Sequence, residues 1–273
     1  MLPKFMTNVE QKNIIIKNLF KGMRFCQVKT QSLVCEISAS IRKLGYNDKR
    51  FEELRKLKNQ YSGKRCFIIA TGPSLTVEDL ELLSNEYTFG MNSICQVYEK
   101  TNWRPTFFGI QDIKVYDILK DKITADSVNF IPYRLAQKKG TPPNAIVFPS
   151  NSYYHDFELR YDIKLFSKFS SNCYATVYDG YSITFSLLQI AVYLGFSDIY
   201  LLGADCNYVA GQKQHFIEHG HNDPKFLTAG ERNIVSYMAA KAYADHHGIK
   251  IYNATRGGML EVFERKQLEE IIG

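Results

Sequence analysis

Apolar residues in this chain fall into short unbroken runs separated by glycine, proline and polar clusters, and between several of those runs they return at intervals of three and four. Cys66 to Ala70 is the first clear run. Tyr87–Ile94, Pro105–Asp112, Asn129–Tyr133, Ala145–Phe148, Asp198–Asp205 and Lys250–Ala254 follow. Unbroken rather than alternating apolarity predicts parallel strands covered on both faces. Helical spacing predicts a helix beginning at Val77, helices over Phe185–Leu194 and Ala229–His247 terminated by Gly195 and Gly248, and a last helix over Val262–Ile272. Residues 151–178, rich in Tyr, Phe, Ser and Asp without period, and the polar residues 206–228 read as insertions, each long enough to serve as a lid. Strands alternating with helices give an α/β class with a mostly parallel sheet.

Residues 9–24, 31–44 and 51–60 carry a helical pattern of their own ahead of the first strand, which divides the chain into a helical extension, 1–61, and an α/β domain, 62–273. Residues 1–60 hold 13 Lys and Arg against 5 Asp and Glu, while the whole chain carries a formal charge of +6, so the positive charge belongs to the extension. Such a prefix suits packing on its own domain, assembly with a second subunit, or docking on the inner face of a membrane through Ile14, Ile15, Ile16, Leu19 and Phe20. A nucleic-acid partner is not expected, because aromatic residues are not interleaved with the basic ones as in a stacking platform. Six cysteines without a C-x-x-C pair fit a reducing, cytoplasmic setting, and no apolar stretch reaches the length that spans a bilayer. We expect a homo-oligomer.

The chemistry gathers at strand exits. Thr71-Gly72-Pro73-Ser74 breaks the first strand, and either Ser74 or Thr76 can cap the helix that follows, with Asp79 three residues beyond Thr76. A strand end, a small-residue turn and a helix start together suit an anion. Gly72 is expected to let the backbone approach that ligand. Asn92 and Asp112 close the next two strands, and ligands of open parallel sheets collect at such ends. Gly203-Ala-Asp205 closes the strand at 198, and Asp205 can bind ribose hydroxyls, hold a metal-nucleotide or cap the next turn. His215, His219 and His221 follow on the long loop. Their spacing matches no zinc pattern, so no metal is assigned, and a general acid or base is the better use, with His215 first because Phe216 can anchor it. His155, His246 and His247 are read as structural or surface residues.

Phe67-Ile-Ile-Ala-Thr-Gly-Pro-Ser74, the strand end at Asn92, Gly180-Tyr-Ser182 ahead of Ala191-Val-Tyr-Leu-Gly195, Ile199-Tyr-Leu-Leu-Gly-Ala-Asp-Cys-Asn-Tyr208 and Ile251-Tyr-Asn-Ala-Thr255 form an ordered set over residues 62–272. That set resembles two related families. One is the bacterial sialyltransferases of glycosyltransferase family 42; the other contains flagellin nonulosonate transferases and the archaeal 6-hydroxymethylpterin diphosphokinase. The resemblance implies a single Rossmann-like domain, a variant of the GT-A type, with a nucleotide over Gly72-Pro73-Ser74, Asn92 and the segment from Gly180 through Ser182 to Thr184. From the sialyltransferases it further implies a CMP-activated nonulosonic acid as donor, a glycan as acceptor, no metal or other cofactor, a histidine base and a tyrosine at the leaving phosphate. Tyr208 stands at one such tyrosine position, whereas the base stays open among His215, His219 and His221. The preferred expectation is an inverting glycosyltransferase. The alternatives are an ATP-dependent diphosphokinase with Mg²⁺ on carboxylates such as Asp112 and Asp205, and a nucleotide-binding protein without turnover.

Overall fold

The computed structural model describes residues 14–208, 215–218, 220 and 226–273. Its strands are β1 Arg65–Ile69, β2 Thr88–Met91, β3 Phe107–Gly109, β4 Val128–Pro132 and β5 Ala145–Phe148, then β6 Ser150–Asn151 and β7 Val177–Tyr178, and finally β8 Asp198–Leu202, β9 Lys250–Asn253 and β10 Glu264–Arg265. Eight of them form one sheet in the order β10-β9-β8-β1-β2-β3-β4-β5, and every pairing in it is parallel. β6 and β7 pair with each other as a small parallel sheet.

Both faces of the large sheet are buried, and alternate residues of each strand go to opposite sides. Cys66, Ile68, Phe107, Phe130, Ile199 and Leu201 pack on one face. Phe67, Ile69, Phe108, Ile131, Tyr200 and Leu202 pack on the other. Parallel strands joined by crossover helices require this two-sided cover, which is why they read as unbroken apolar runs. The first face is covered chiefly by α7, Ile183–Leu194, whose residues are buried apart from Val192. Gly195 ends α7 in the left-handed conformation at φ 103°, where a Cβ would also strike Ser62. The second face is covered by α3, Val77–Leu82, α4, Ile113–Leu119, and α5, Tyr133–Lys139.

Ahead of the sheet lies α1, Ile14–Lys43, one continuous helix where the sequence suggested two. After it come a short 3₁₀ turn at 49–51 and α2, Glu52–Lys56, which insert Phe51 and Leu54 into the core of the first face. α6, Asp156–Arg160, lies against α1, and α8, Ala229–His247, lies against α7.

Two expectations need correction. Residues 151–178 are not an open lid: Tyr154, His155, Phe157, Cys173, Tyr174 and Val177 are buried there, and Tyr154 donates a hydrogen bond to Asp179 O at 2.5 Å. The closing helix begins only at Leu268 (α9, Leu268–Ile272), because Phe263 is drawn into the core and Glu264–Arg265 pairs with β9. Of the long loop, 209–214, 219 and 221–225 lie outside the described residues, so His219 and His221 receive no placement.

Candidate functional site

Strand order reverses at β1. Chain order proceeds through β2 to β5 on one side, while β8, β9 and β10 lie on the other, and a crevice opens beyond the strand ends at such a switch point. A cavity of about 700 Å³ occupies that position, within the range typical of small-molecule sites.

One wall is the exit of β1. Ala70 N donates to Leu202 O and Gly72 N to Gly203 O, both at 2.8 Å, so the turn is stitched to the exit of β8. Thr71, Gly72 and Pro73 line the cavity, but Ser74 does not; its Oγ donates to Asp205 Oδ2 at 2.8 Å. Gly72 is small for a different reason than the sequence suggested. A Cβ there would lie 1.8 Å from Asp205 Oδ2 and 2.4 Å from Gly203 O, so the missing side chain admits Asp205. Thr76 caps α3 in a capping box with Asp79, as the spacing predicted, and Arg256 pairs with Asp79 behind it. With only six residues, α3 offers little dipole to an anion.

The twelve-residue α7 supplies the longer helix start. Ser182 is its N-cap, accepting from Phe185 N, and Tyr181, Ser182, Ile183 and Thr184 line the cavity. Gly180 does not reach it; a Cβ there would collide with the Phe185 ring, and its carbonyl accepts from Ser236 Oγ. Asn92 sits at φ 46°, a left-handed conformation that asparagine tolerates, and also faces the cavity. Asp112 caps α4, with Oδ1 accepting from Lys114 N at 2.7 Å and Val115 N at 3.0 Å.

Beside the turn, Gly203, Asp205, Tyr208 and His215 complete the wall. Burial raises the Asp205 carboxyl, and the Ser74 hydroxyl opposes that shift. Tyr208 is pushed up to about 12 by burial and accepts a hydrogen bond from Asn233 at 3.4 Å. Thr71 Oγ1 and His215 Nδ1 lie 3.3 Å apart, and Phe216 N donates to Thr71 O at 2.7 Å, so residues 215–216 are held against the β1 exit. Burial lowers the His215 pKa, with Glu218 opposing, so its imidazole is neutral at neutral pH.

The sequence therefore named eleven residues that share this cavity, leaving Ser74 and Gly180 behind it. It missed a further group. Gln111 accepts from Ser186 Oγ at 2.9 Å, and Arg134, Arg232 and Asn233 also line the space. Asp179, at the end of β7, accepts from Tyr181 N at 2.9 Å and is raised to about 6 by burial. His155, read as structural, lies 4.3 Å from the Tyr181 ring in a parallel stack and also borders the cavity. Neither His155 nor Asp179 carried a sequence signal, since the one lies in the segment without period and the other directly after it, where no strand was read.

These geometries can be set beside known proteins. A family profile described as 6-hydroxymethylpterin diphosphokinase MptE-like matches residues 38–211, which include both strand exits that form the crevice. No curated protein matches the chain. Among solved structures, the MAf glycosyltransferase from Magnetospirillum magneticum AMB-1 is similar over 83% of this chain, at 14% identity and a TM-score of 0.43. This chain spans 39% of that protein's chain. With the profile matching well over half of its residues, the chain belongs to the MptE-like family.

Proposed function

We propose that the protein is a glycosyltransferase that moves a nonulosonic, sialic-type sugar from a CMP-activated donor to a hydroxyl of a glycan, by direct displacement without a metal. The observation that carries this reading is the pairing of a neutral imidazole, His215, with the Thr71 hydroxyl on the turn where the donor would lie. In the tautomer whose Nδ1–H donates to Thr71 Oγ1, Nε2 bears the lone pair that a general base needs. The acceptor oxygen attacks the anomeric carbon, its proton passes to His215, and the bond from that carbon to the phosphate oxygen breaks to release CMP. Ser182 at the α7 start, Asn92 and the Tyr208 hydroxyl are the groups placed to offset charge on the departing phosphate. Tyr208 remains protonated at neutral pH and so can donate.

The carboxylates support the metal-independent form. Asp112 already caps α4, Asp205 accepts from Ser74, and burial disfavours the charged forms of Asp205 and Asp179. A second reading comes from the name of the matching family: a diphosphokinase moving pyrophosphate from ATP to a hydroxymethyl group. It would call on Asp112 and Asp205 to hold Mg²⁺. On the preferred reading the protein works in the cytoplasm, at the inner membrane face where lipid-carried glycans are assembled.

A thermal-shift panel separates the two, since a ligand that binds only the folded state raises its melting temperature. CMP in EDTA is expected to raise it, and ATP with Mg²⁺ to leave it unchanged. Stabilisation by ATP and Mg²⁺ alone would favour the diphosphokinase.

A further inference from the structure

The helix α1 is amphipathic in the reverse sense. Between positions 18 and 42 it carries five charged side chains, and each is tied to its own domain. Lys21 lies over the Tyr161 ring, Arg24 pairs with Asp156, Lys29 with Glu158, Glu36 with Lys168, and Arg42 with Asp48. The solvent side is the opposite: from Asn18 to Ile41 it has thirteen exposed positions, and none carries a charge, while the exposed Lys17 and Lys43 stand just beyond the two ends of that stretch. Leu33 is 58% exposed, Ile37 51%, and Leu44, just past the helix, 88%. An ordinary surface helix turns its charges to water and its apolar stripe to the core.

The outward residues also have a register. Positions 19, 23, 26, 30, 33, 37 and 40 alternate intervals of four and three, a mean of 3.5, with Leu44 four further on, and five of these eight are Leu, Met or Ile. That repeat is the seam of a helix pair, in which a second helix of the same period keeps contact along the whole length. The stripe is about 38 Å long at 1.5 Å per residue. One helix wide, it covers on the order of 400 Å² in plan, as large as the apolar patches that mark interaction surfaces.

We infer that this face docks on the same face of a second copy of the chain, through a two-fold pairing of α1 with its counterpart. Charge selects that occupant. The segment is basic, yet between Asn18 and Ile41 its outer face is neutral, so two copies can meet along that stretch without like charges facing each other. A membrane surface would be held by cations along the rim of the stripe, but Lys21, Arg24 and Lys29 are engaged with the tyrosine and carboxylates of the domain instead, which leaves the exposed lysines of α1, Lys17 and Lys43, at its two ends. The inference is independent of the chemistry proposed for the crevice.

The test is sedimentation velocity on the full chain over a dilution series, in reducing buffer so that the exposed Cys26 cannot link copies covalently. Thr30 and Leu33 flank the middle of the stripe and would meet their counterparts in either a parallel or an antiparallel pair. The wild type is expected to sediment as a dimer. Thr30→Glu/Leu33→Glu and Thr30→Lys/Leu33→Lys are each expected to be monomers that keep the circular dichroism spectrum of the wild type, and an equimolar mixture of the two to recover the dimer. A monomeric wild type, dimers that persist in both double variants, or a mixture that stays monomeric would overturn the pairing. So would a monomeric wild type that floats with anionic vesicles, which would assign the face to a membrane.

Discussion

Ser74 Oγ donates to Asp205 Oδ2 at 2.8 Å, and this side-chain bond adds to the two backbone bonds that join the exit of β1 to the exit of β8 across the point where strand order reverses. The same carboxylate fills the space that a side chain on Gly72 would need. The β1 turn is therefore shaped by its neighbouring strand before any ligand arrives, and the crevice floor is preorganised.

Gly72→Ala is accordingly expected to destabilise the fold, because its Cβ meets a backbone carbonyl, Gly203 O, as well as Asp205. Overpacking of this kind costs about 1–3 kcal/mol. Urea unfolding measures it, and a midpoint equal to wild type would show that the β8 exit can move aside.

Asp179 gives a pH dependence of unusual sign. Burial raises its carboxyl to about 6, above the unfolded value, so the folded state binds the proton more tightly than the unfolded chain. Its burial carries no penalty below about pH 4 and the full penalty above about pH 6. Asp179→Asn is expected to stabilise the protein at pH 7.5 by on the order of 1 kcal/mol, with the difference vanishing near pH 4. Denaturation midpoints of the two proteins at both pH values would check it; a variant less stable at pH 7.5 would contradict it.

His155 acts in the opposite direction. It is 2% exposed, neither ring nitrogen has a hydrogen-bond partner among the described residues, and burial lowers its pKa to about 4. The folded value lies below the unfolded one, so stability is lost as pH falls from about 6.5 towards 4. His155→Phe keeps an aromatic ring against Tyr181 and removes the titration. Its stability should fall less between pH 7 and pH 4.5 than that of wild type, by about 2 kcal/mol. Equal acid sensitivity would remove His155 from the cause.

Thr71→Val keeps the shape of the turn residue but deletes the hydroxyl beside His215 Nδ1. If that contact sets the imidazole orientation, turnover should fall by about tenfold, the order expected for one lost hydrogen bond of 1.4 kcal/mol, while donor affinity stays close to wild type. Unchanged turnover would mean that His215 is oriented by other contacts.

How far the sequence reached depended on where order comes from. Seven strands of the large sheet were legible to within about two residues at most ends, because burial on both faces writes itself as an apolar run, as in Cys66 to Ile69, whereas the exposed β10 was read as part of the last helix. Gly195, Gly248 and the Thr76 capping box were legible because each is local chemistry. Residues 151–178 were not, since their order is tertiary: Tyr178 donates to Glu36 on α1, and Ala175 O accepts from Arg42. His155 and Asp179 were missed for the same reason. Ser74 was misplaced because either it or Thr76 could cap, and only the presence of Asp205 decides between them.

The most direct measurement is release of CMP from a CMP-nonulosonate donor in the presence of a glycan acceptor and EDTA, by wild type and by His215→Ala. Turnover in wild type without metal, lowered by 10² to 10⁴ in the variant while CMP affinity persists, is the expected result. No turnover with this donor, together with Mg²⁺-dependent consumption of ATP that is insensitive to His215→Ala, would contradict it.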